Sequence, residues 1–189
     1  LKKDAKYDKN FLKLYKKFSP GPLTYVLKKR KNSKVSKFAN AKLKTIAVRF
    51  PKNKVIRSLL KKLSFPLAIP SANISTGVSP TEPLDVVDEF KNKVKFILNG
   101  GKSIIGLEST VINLSNKPRI LRPGAISNIQ IGKILKKKVS NIAGSKLIVS
   151  PGMLKRHYSP GIPMKLNSKK SDYMAAFIVF GKKYKCLLY

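Results

Sequence analysis

The stretch Leu67-Ala-Ile-Pro-Ser-Ala-Asn-Ile-Ser-Thr-Gly-Val-Ser-Pro-Thr81 decides how the chain is read. An apolar run stops at Pro70, and six short hydrogen-bonding side chains follow: Ser71, Asn73, Ser75, Thr76, Ser79 and Thr81. Phe65 to Ile69 is predicted as a buried strand and Thr81 to Phe90 as a helix with Glu82 and Asp85 in its first turn. A strand that releases into a loop and then a helix is the building unit of an α/β sheet protein. The loop itself offers hydroxyls, an amide and free backbone N–H groups, which suit phosphate or carboxylate oxygens. Thr81 as an N-cap would turn a positive helix end toward them. A polar loop ahead of a capped helix is the simpler reading of the same residues, and both readings stand at this point.

Working outward, Asp8 to Phe18 is predicted as an amphipathic helix, ended by Ser19-Pro20-Gly21-Pro22. Leu23 to Leu27 and Lys44 to Phe50 read as strands, with a basic loop between them running to about Ala41 and Pro51 as a stop. Lys54 to Leu63 places Val55, Ile56, Leu59, Leu60 and Leu63 on one helical face. Beyond the opening stretch, Val94 to Leu98 is predicted as a strand, Ser109 to Leu114 and Arg119 to Leu121 as an antiparallel pair, and Ile129 to Leu135 as a helix capped by Ser127. The expected fold class is therefore α/β or α+β, a twisted mixed sheet with helices packed on it. After Lys138 the character changes. Residues 139–168 read as a linker, with three prolines between Pro151 and Pro163. Residues 169–189 hold one strongly apolar strand, Met174 to Phe180, and read as the start of a second, truncated α/β domain. Residues 1–138 form the expected main domain.

Composition excludes several classes of function. Cys186 is the only cysteine and His157 the only histidine, so neither an internal disulfide nor a Cys- or His-rich metal cluster is available. No apolar run approaches the roughly 18–20 residues of a membrane span, and a reducing cytoplasm fits best. The balance of 41 basic to 8 acidic residues gives a formal charge of +33. A field of that sign attracts nucleic acid and nucleotides. The lysines, however, are spread over nearly every segment, as in a chain of biased overall composition. Six arginines stand apart, Arg30, Arg49, Arg57, Arg119, Arg122 and Arg156, because a guanidinium grips an oxyanion in fixed two-point geometry.

Two of them end apolar strands. Arg49 closes Ala47-Val48-Arg49-Phe50, and Arg122 closes Ile120-Leu121-Arg122-Pro123. A charge there either reaches solvent or meets an anion, because burying it unpaired costs several kcal/mol. Glu108, beside Ser109 and Thr110 ahead of a strand, either orients a ligand or bonds its own backbone. Chemistry alone points to an anionic small-molecule site, and no triad, carboxylate pair or Walker loop is present.

Several motifs occur in a fixed order: Pro20-Gly21-Pro22-Leu23-Thr24, Ala47-Val48-Arg49-Phe50-Pro51, Pro70-Ser71-Ala72-Asn73-Ile74-Ser75, Ser79-Pro80-Thr81, Glu108-Ser109-Thr110-Val111 and Leu121-Arg122-Pro123-Gly124. Together they resemble the YrdC-like threonylcarbamoyl-adenylate synthases. Ser150-Pro151-Gly152-Met153 and Arg156-His157-Tyr158-Ser159-Pro160 resemble the linker of the long, two-domain type. The resemblance implies an enzyme, a nucleotidyltransferase that converts threonine, bicarbonate and ATP into threonylcarbamoyl-AMP and pyrophosphate. It serves the t6A modification at tRNA position 37 through a downstream tRNA-threonylcarbamoyl transferase complex. It further implies that Arg49, Ile69 and Ser109 hold threonine, and that Thr45, Ser71, Asn73, Ser79, Arg122 and Tyr158 hold the nucleotide. ATP is then a substrate, Mg2+ assists, and no tightly bound cofactor, protein-held metal, covalent nucleophile or membrane is implied.

The chain also departs from that pattern. Ahead of Phe18 it carries neither the Thr-rich strand-turn nor the Lys-x-Arg motif of the family. The expectation is that the parent protein is the synthase and that these 189 residues alone are inactive. The alternative is a basic YrdC-like module that binds RNA without catalysis, with a weak tRNA contact as its trace. A third option, a carbamoyltransferase of hydrogenase maturation, lacks its zinc-finger cysteines here. Roles for His157 and Cys186 are left open.

Overall fold

A computed structural model describes residues 1–75, 77–141, 165 and 167. The chain divides into two compact units, Leu1–Ser159 and Pro160–Tyr189, and every described helix and strand belongs to the first. The strand Met174 to Phe180, Tyr158, His157 and Cys186 lie outside the described residues. So does most of the expected linker.

Strands β1 (Ala5–Lys6), β2 (Leu23–Lys29), β3 (Thr45–Arg49), β4 (Thr110–Asn113), β5 (Arg119–Arg122) and β6 (Ser140–Asn141) form one mixed sheet. Four helices, α1 (Lys9–Phe18), α2 (Lys54–Lys62), α3 (Pro83–Phe90) and α4 (Asn128–Leu135), and a 3₁₀ turn at Lys91–Lys93 complete the described elements. β2 is the central strand. Thr24, Tyr25 and Val26 each pair with β3 on one side, antiparallel, and with β4 on the other, parallel. Lys28 pairs with both Thr45 and Lys6, which puts the short β1 on the β4 side. β5 returns antiparallel to β4, and β6 continues the sheet two residues beyond Lys138.

The predicted helices at both ends of the domain form because their caps are local. Asp8 accepts the Phe11 amide at 3.0 Å, and Ser127 and Gln130 make a reciprocal capping box at the start of α4. Phe11 and Leu14 from α1 and Ile131 and Leu135 from α4 cover the same face of the sheet. There they meet Leu23, Tyr25, Leu27, Ile112 and Ile120. Each such side chain contributes about 1.5–3 kcal/mol by leaving water. Among the described residues, the opposite face holds only a small cluster, Val26, Val111 and Leu121. Successive strand residues alternate between these faces, so Tyr25 faces the helices while Thr24 faces the other side.

Burial gives Tyr25 a measurable signature. Its phenol lies 2.8 Å from Ser19 Oγ, and burial pushes its pKa up from 10.0 to about 12, opposed by the Ser19 hydrogen bond and helped by Tyr15. An unfolded tyrosine loses its proton near pH 10, while the folded one keeps it to about 12. Stability from this group is thus complete below the lower value and is lost as pH rises across that window. Urea denaturation of wild type and Tyr25→Phe should show a constant difference at neutral pH that shrinks across this alkaline range. A pH-independent difference would contradict this assignment.

Three expectations are corrected. Phe65 to Ile69 and Val94 to Leu98 are not strands, and their side chains lie largely exposed, Phe96 at 90%. A strand exists only where a neighbour takes its backbone groups, and among the described residues neither run has one. The outer edge of β3 is likewise unpaired among them, and α2 and α3 bury no residue fully. The third correction concerns Thr81, which does not cap α3. Glu82 is the N-cap, and the Asp85 carboxylate accepts the Thr81 and Glu82 amides at 2.7 and 3.1 Å and the Thr81 hydroxyl at 3.2 Å. Those backbone bonds hold the Asp85 carboxyl below the usual carboxylate range. Asp85 at the third helical position thus reaches back to the Glu82 amide, the return bond of a capping box that fixes Glu82 as the N-cap.

Candidate functional site

The sheet brings four of the expected site residues to one end of its sparsely covered face. Arg49 ends β3, directly opposite Thr24 in the register of β2. The Thr24 hydroxyl lies 2.8 Å from the hydroxyl of Ser109, which precedes β4 and is buried. Arg122, at the end of β5, donates to the Ser109 carbonyl from Nε at 3.1 Å and Nη2 at 2.8 Å, and to the Ser109 hydroxyl at 3.1 Å. Glu108 stands beside it, with Oε2 3.5 Å from Arg122 Nη2, and its Oε1 accepts the Ser79 hydroxyl at 2.7 Å. Four chain segments thus meet in one connected polar network, and Arg49 on β3 stands beside it.

The supports of this network are backbone groups. Arg49 Nε donates to the Gly21 carbonyl at 3.3 Å, and the Gly21 amide donates to the Phe50 carbonyl at 2.8 Å. The Pro20-Gly21-Pro22 turn, which contains a cis Ser19–Pro20 bond, is therefore clipped to the end of β3. Glycine is required at position 21 because any Cβ would overlap the Phe18 carbonyl oxygen. On the other side, Thr110 donates its hydroxyl to the Ile126 carbonyl at 2.8 Å and accepts the Ile126 amide at 3.0 Å, fixing the turn after β5.

Electrostatically, two guanidinium groups share the neighbourhood of one carboxylate. Burial pulls the Arg49 pKa below the usual arginine value, the Glu108 charge raises it, and the Arg122 charge lowers it again. Such a pair attracts an anion, since an incoming negative charge relieves both desolvation and repulsion.

The other expected residues are placed apart from this network. Thr45 begins β3, about 13 Å along the strand from Arg49 at the usual rise per residue. Its carbonyl accepts from Asn40. Ile69 and Ser71 are exposed in the segment after α2. Asn73 clasps its own loop, donating to the Ile74 and Gly77 carbonyls at 2.8 and 3.2 Å, while Glu89 of α3 accepts the Ile74 amide. Its Oδ1 is buried without a hydrogen-bond partner among the described residues. Tyr158 lies outside the described residues. Thr24 was not expected in the site. Its signal was available in the alternation of β2, where Tyr25 turns toward the core and Thr24 therefore toward Ser109.

Comparison with known proteins identifies the family of the chain. The Sua5/YciO/YrdC family model, described as "Telomere recombination", matches residues 1–124. The chain belongs to the Sua5/YciO/YrdC family. This Sua5/YciO/YrdC chain is 40% identical to the threonylcarbamoyl-AMP synthase of Schizosaccharomyces pombe over 89% of its own length and 45% of the relative. It is 36% identical to that of Pyrococcus abyssi over 90% of its length and 53% of the relative. It spans about half the length of these curated relatives. Among solved structures, P. abyssi Sua5 complexed with L-threonine superposes with a TM-score of 0.75 at 35% identity, covering 83% of this chain and 47% of that one. Escherichia coli YciO superposes at 0.54 with 25% identity, covering 68% and 62%. The mixed α/β sheet expected from the resemblance is thus the fold observed.

Proposed function

We propose that the chain forms one wall of the active site of an L-threonylcarbamoyladenylate synthase, joining threonine, bicarbonate and ATP into threonylcarbamoyl-AMP with release of pyrophosphate. The observation that carries this reading is a polar cluster at the ends of β3, β4 and β5: Ser109, Arg122, Glu108 and Ser79 are joined by hydrogen bonds and an ion pair, and Arg49 stands beside them opposite Thr24 in register. In this reading Arg49 and Ser109 take the threonine, Ser79 and Arg122 the nucleotide phosphates, and Thr45, Ile69, Ser71, Asn73 and Tyr158 complete the two subsites. The relatives named as synthases and the threonine-bound relative support it, and they weigh against the RNA-binding alternative. The product would pass to a tRNA-modifying transferase complex.

The chemistry needs no covalent nucleophile, because positioning and stabilisation of phosphoryl charge carry such transfers. A Mg2+ ion would arrive on the nucleotide, held by its phosphates and water. Among the described residues no group of three His, Cys, Asp or Glu side chains gathers to hold one. No helix among them is long and apolar enough to cross a membrane.

The test is pyrophosphate release in the presence of ATP, bicarbonate, threonine and Mg2+. A longer protein containing this chain should turn over, and Arg49→Ala should lower its kcat/KM for threonine by roughly 100-fold. The 189 residues alone should release no pyrophosphate. An Arg49→Ala variant with unchanged kcat/KM would defeat the reading, whereas turnover by these residues alone would keep the synthase and remove only the expectation that they are inactive.

A further inference from the structure

The chain has only eight acidic residues. Of those described, Asp8, Glu82 and Asp85 serve helix N-termini, Asp4 accepts from Ser33, Glu89 accepts a loop amide, and Asp88 lies exposed within α3. Glu108 also accepts a serine hydroxyl, but it alone of these stands in the candidate site. It sits between the hydroxyl of Ser79 and the guanidinium of Arg122, the two groups assigned to the nucleotide phosphates. Its hold on them is uneven. Arg122 is anchored independently, by the Ser109 carbonyl at 2.8 and 3.1 Å, whereas its separation from Glu108 is 3.5 Å, a loose ion pair rather than a hydrogen bond. Removing the Glu108 carboxylate would therefore leave the guanidinium in place and aimed at the same spot. The Glu108 side chain is also the more exposed of the two, 26% against 13%, so it has somewhere to go.

The geometry points to Glu108 as a resident counter-anion: its carboxylate fills the position between Ser79 and Arg122 until a polyphosphate ligand displaces it. The inference deepens the synthase reading by assigning the displaced group, and it predicts selection by charge. A ligand bearing two or more adjacent negative charges outcompetes one carboxylate, while a weak monoanion does not. Glu108 is accordingly a positioning residue. It keeps two ligand-binding groups facing each other in a strongly cationic site and leaves when the ligand arrives.

Inorganic pyrophosphate is the probe, titrated calorimetrically into the full chain. Glu108→Gln keeps an acceptor for Ser79 but removes the competing charge, and should bind pyrophosphate roughly tenfold more tightly than wild type. A merely structural glutamate would give unchanged or weaker binding, and that result would overturn the proposal. The wild-type chain supplies a second readout that needs no variant. It has three glutamates, Glu82, Glu89 and Glu108, so their side-chain carboxyl carbons are separable by NMR. The Glu108 signal should move on saturation with pyrophosphate while the other two hold. A Glu108 signal that stays fixed at saturation, or no pyrophosphate binding at all, overturns the proposal. Parallel titrations with L-threonine and ATP separate the two readings. Pyrophosphate exchange without threonine or ATP binding would retire the synthase and leave the exchange standing. Threonine and ATP binding with Glu108→Gln no tighter for pyrophosphate would retire the exchange alone.

Discussion

Arg122→Ala is expected to weaken nucleotide binding strongly and to destabilise the domain together. The side chain is only 13% exposed and makes three hydrogen bonds to Ser109. Its loss leaves the Ser109 carbonyl without those donors and the Glu108 carboxylate without its counter-charge. Leaving the part-buried Ser109 carbonyl and hydroxyl without their charged donor costs about 1–3 kcal/mol, while the loosely held Glu108 can turn toward solvent. Affinity for ATP should fall by roughly 100-fold, the usual consequence of truncating one partner of a desolvated charge contact. Arg122→Lys separates the two effects. It keeps the charge but cannot place two N–H groups on one carbonyl, so it should recover stability in part and nucleotide affinity hardly at all. Urea denaturation and calorimetric titration with ATP read the two quantities. An alanine variant that binds ATP within twofold of wild type would remove Arg122 from the site.

The second large effect belongs to Gly124→Ala. A Cβ there would lie 2.5 Å from both the Glu108 carbonyl oxygen and the Thr110 amide, and 2.8 Å from the Ser109 carbonyl carbon. All three atoms are backbone, so no side chain can swing aside. The chain must instead move Glu108, Ser109 and Thr110, the segment that anchors Arg122 and enters β4. A cost of about 3 kcal/mol is expected, at the upper end for overpacking, with weakened ligand binding in the molecules that remain folded. Gly101→Ala is the control. That glycine has φ +78 with nothing within 4 Å of where a methyl would stand, so alanine there should cost only about 1–2 kcal/mol of backbone strain and leave ligand binding untouched. Equal effects of the two substitutions on binding would contradict the role given to Gly124.

These two residues also mark the boundary of what could be read from sequence. Helices capped by Asp8 and Ser127 were legible because the cap, the first turn and the apolar stripe all lie within one short window. The arginines at strand ends were legible because charge next to an apolar run is itself unusual. Phe65–Ile69 and Val94–Leu98 were misread because an apolar run signals burial without naming the partner strand that burial needs. Thr81 was misread because the helix starts one residue later than expected, with Glu82 as N-cap, and Asp85 reaches back to hold the Thr81 and Glu82 amides. Glu108 was legible as a candidate but not as a link, since its partners Ser79 and Arg122 lie 29 residues before it and on the next strand. The alternation of β2 set Thr24 on the face opposite Tyr25, but its partner Ser109 became visible only once the β2–β4 pairing was known.

That pairing has a kinetic consequence. Thr24 and Ser109 touch across 85 positions of sequence, joined through a parallel strand pair that no tight turn can form. Closing so long a loop is entropically expensive, and contacts of this separation slow folding. The hairpin of β4 with β5 and both capped helices can assemble beforehand, but the ligand pocket cannot exist until the distant ends dock. An intermediate lacking that docking would keep most of its helix signal and bind nothing. Recovery of ligand binding during refolding would therefore time the last step of assembly.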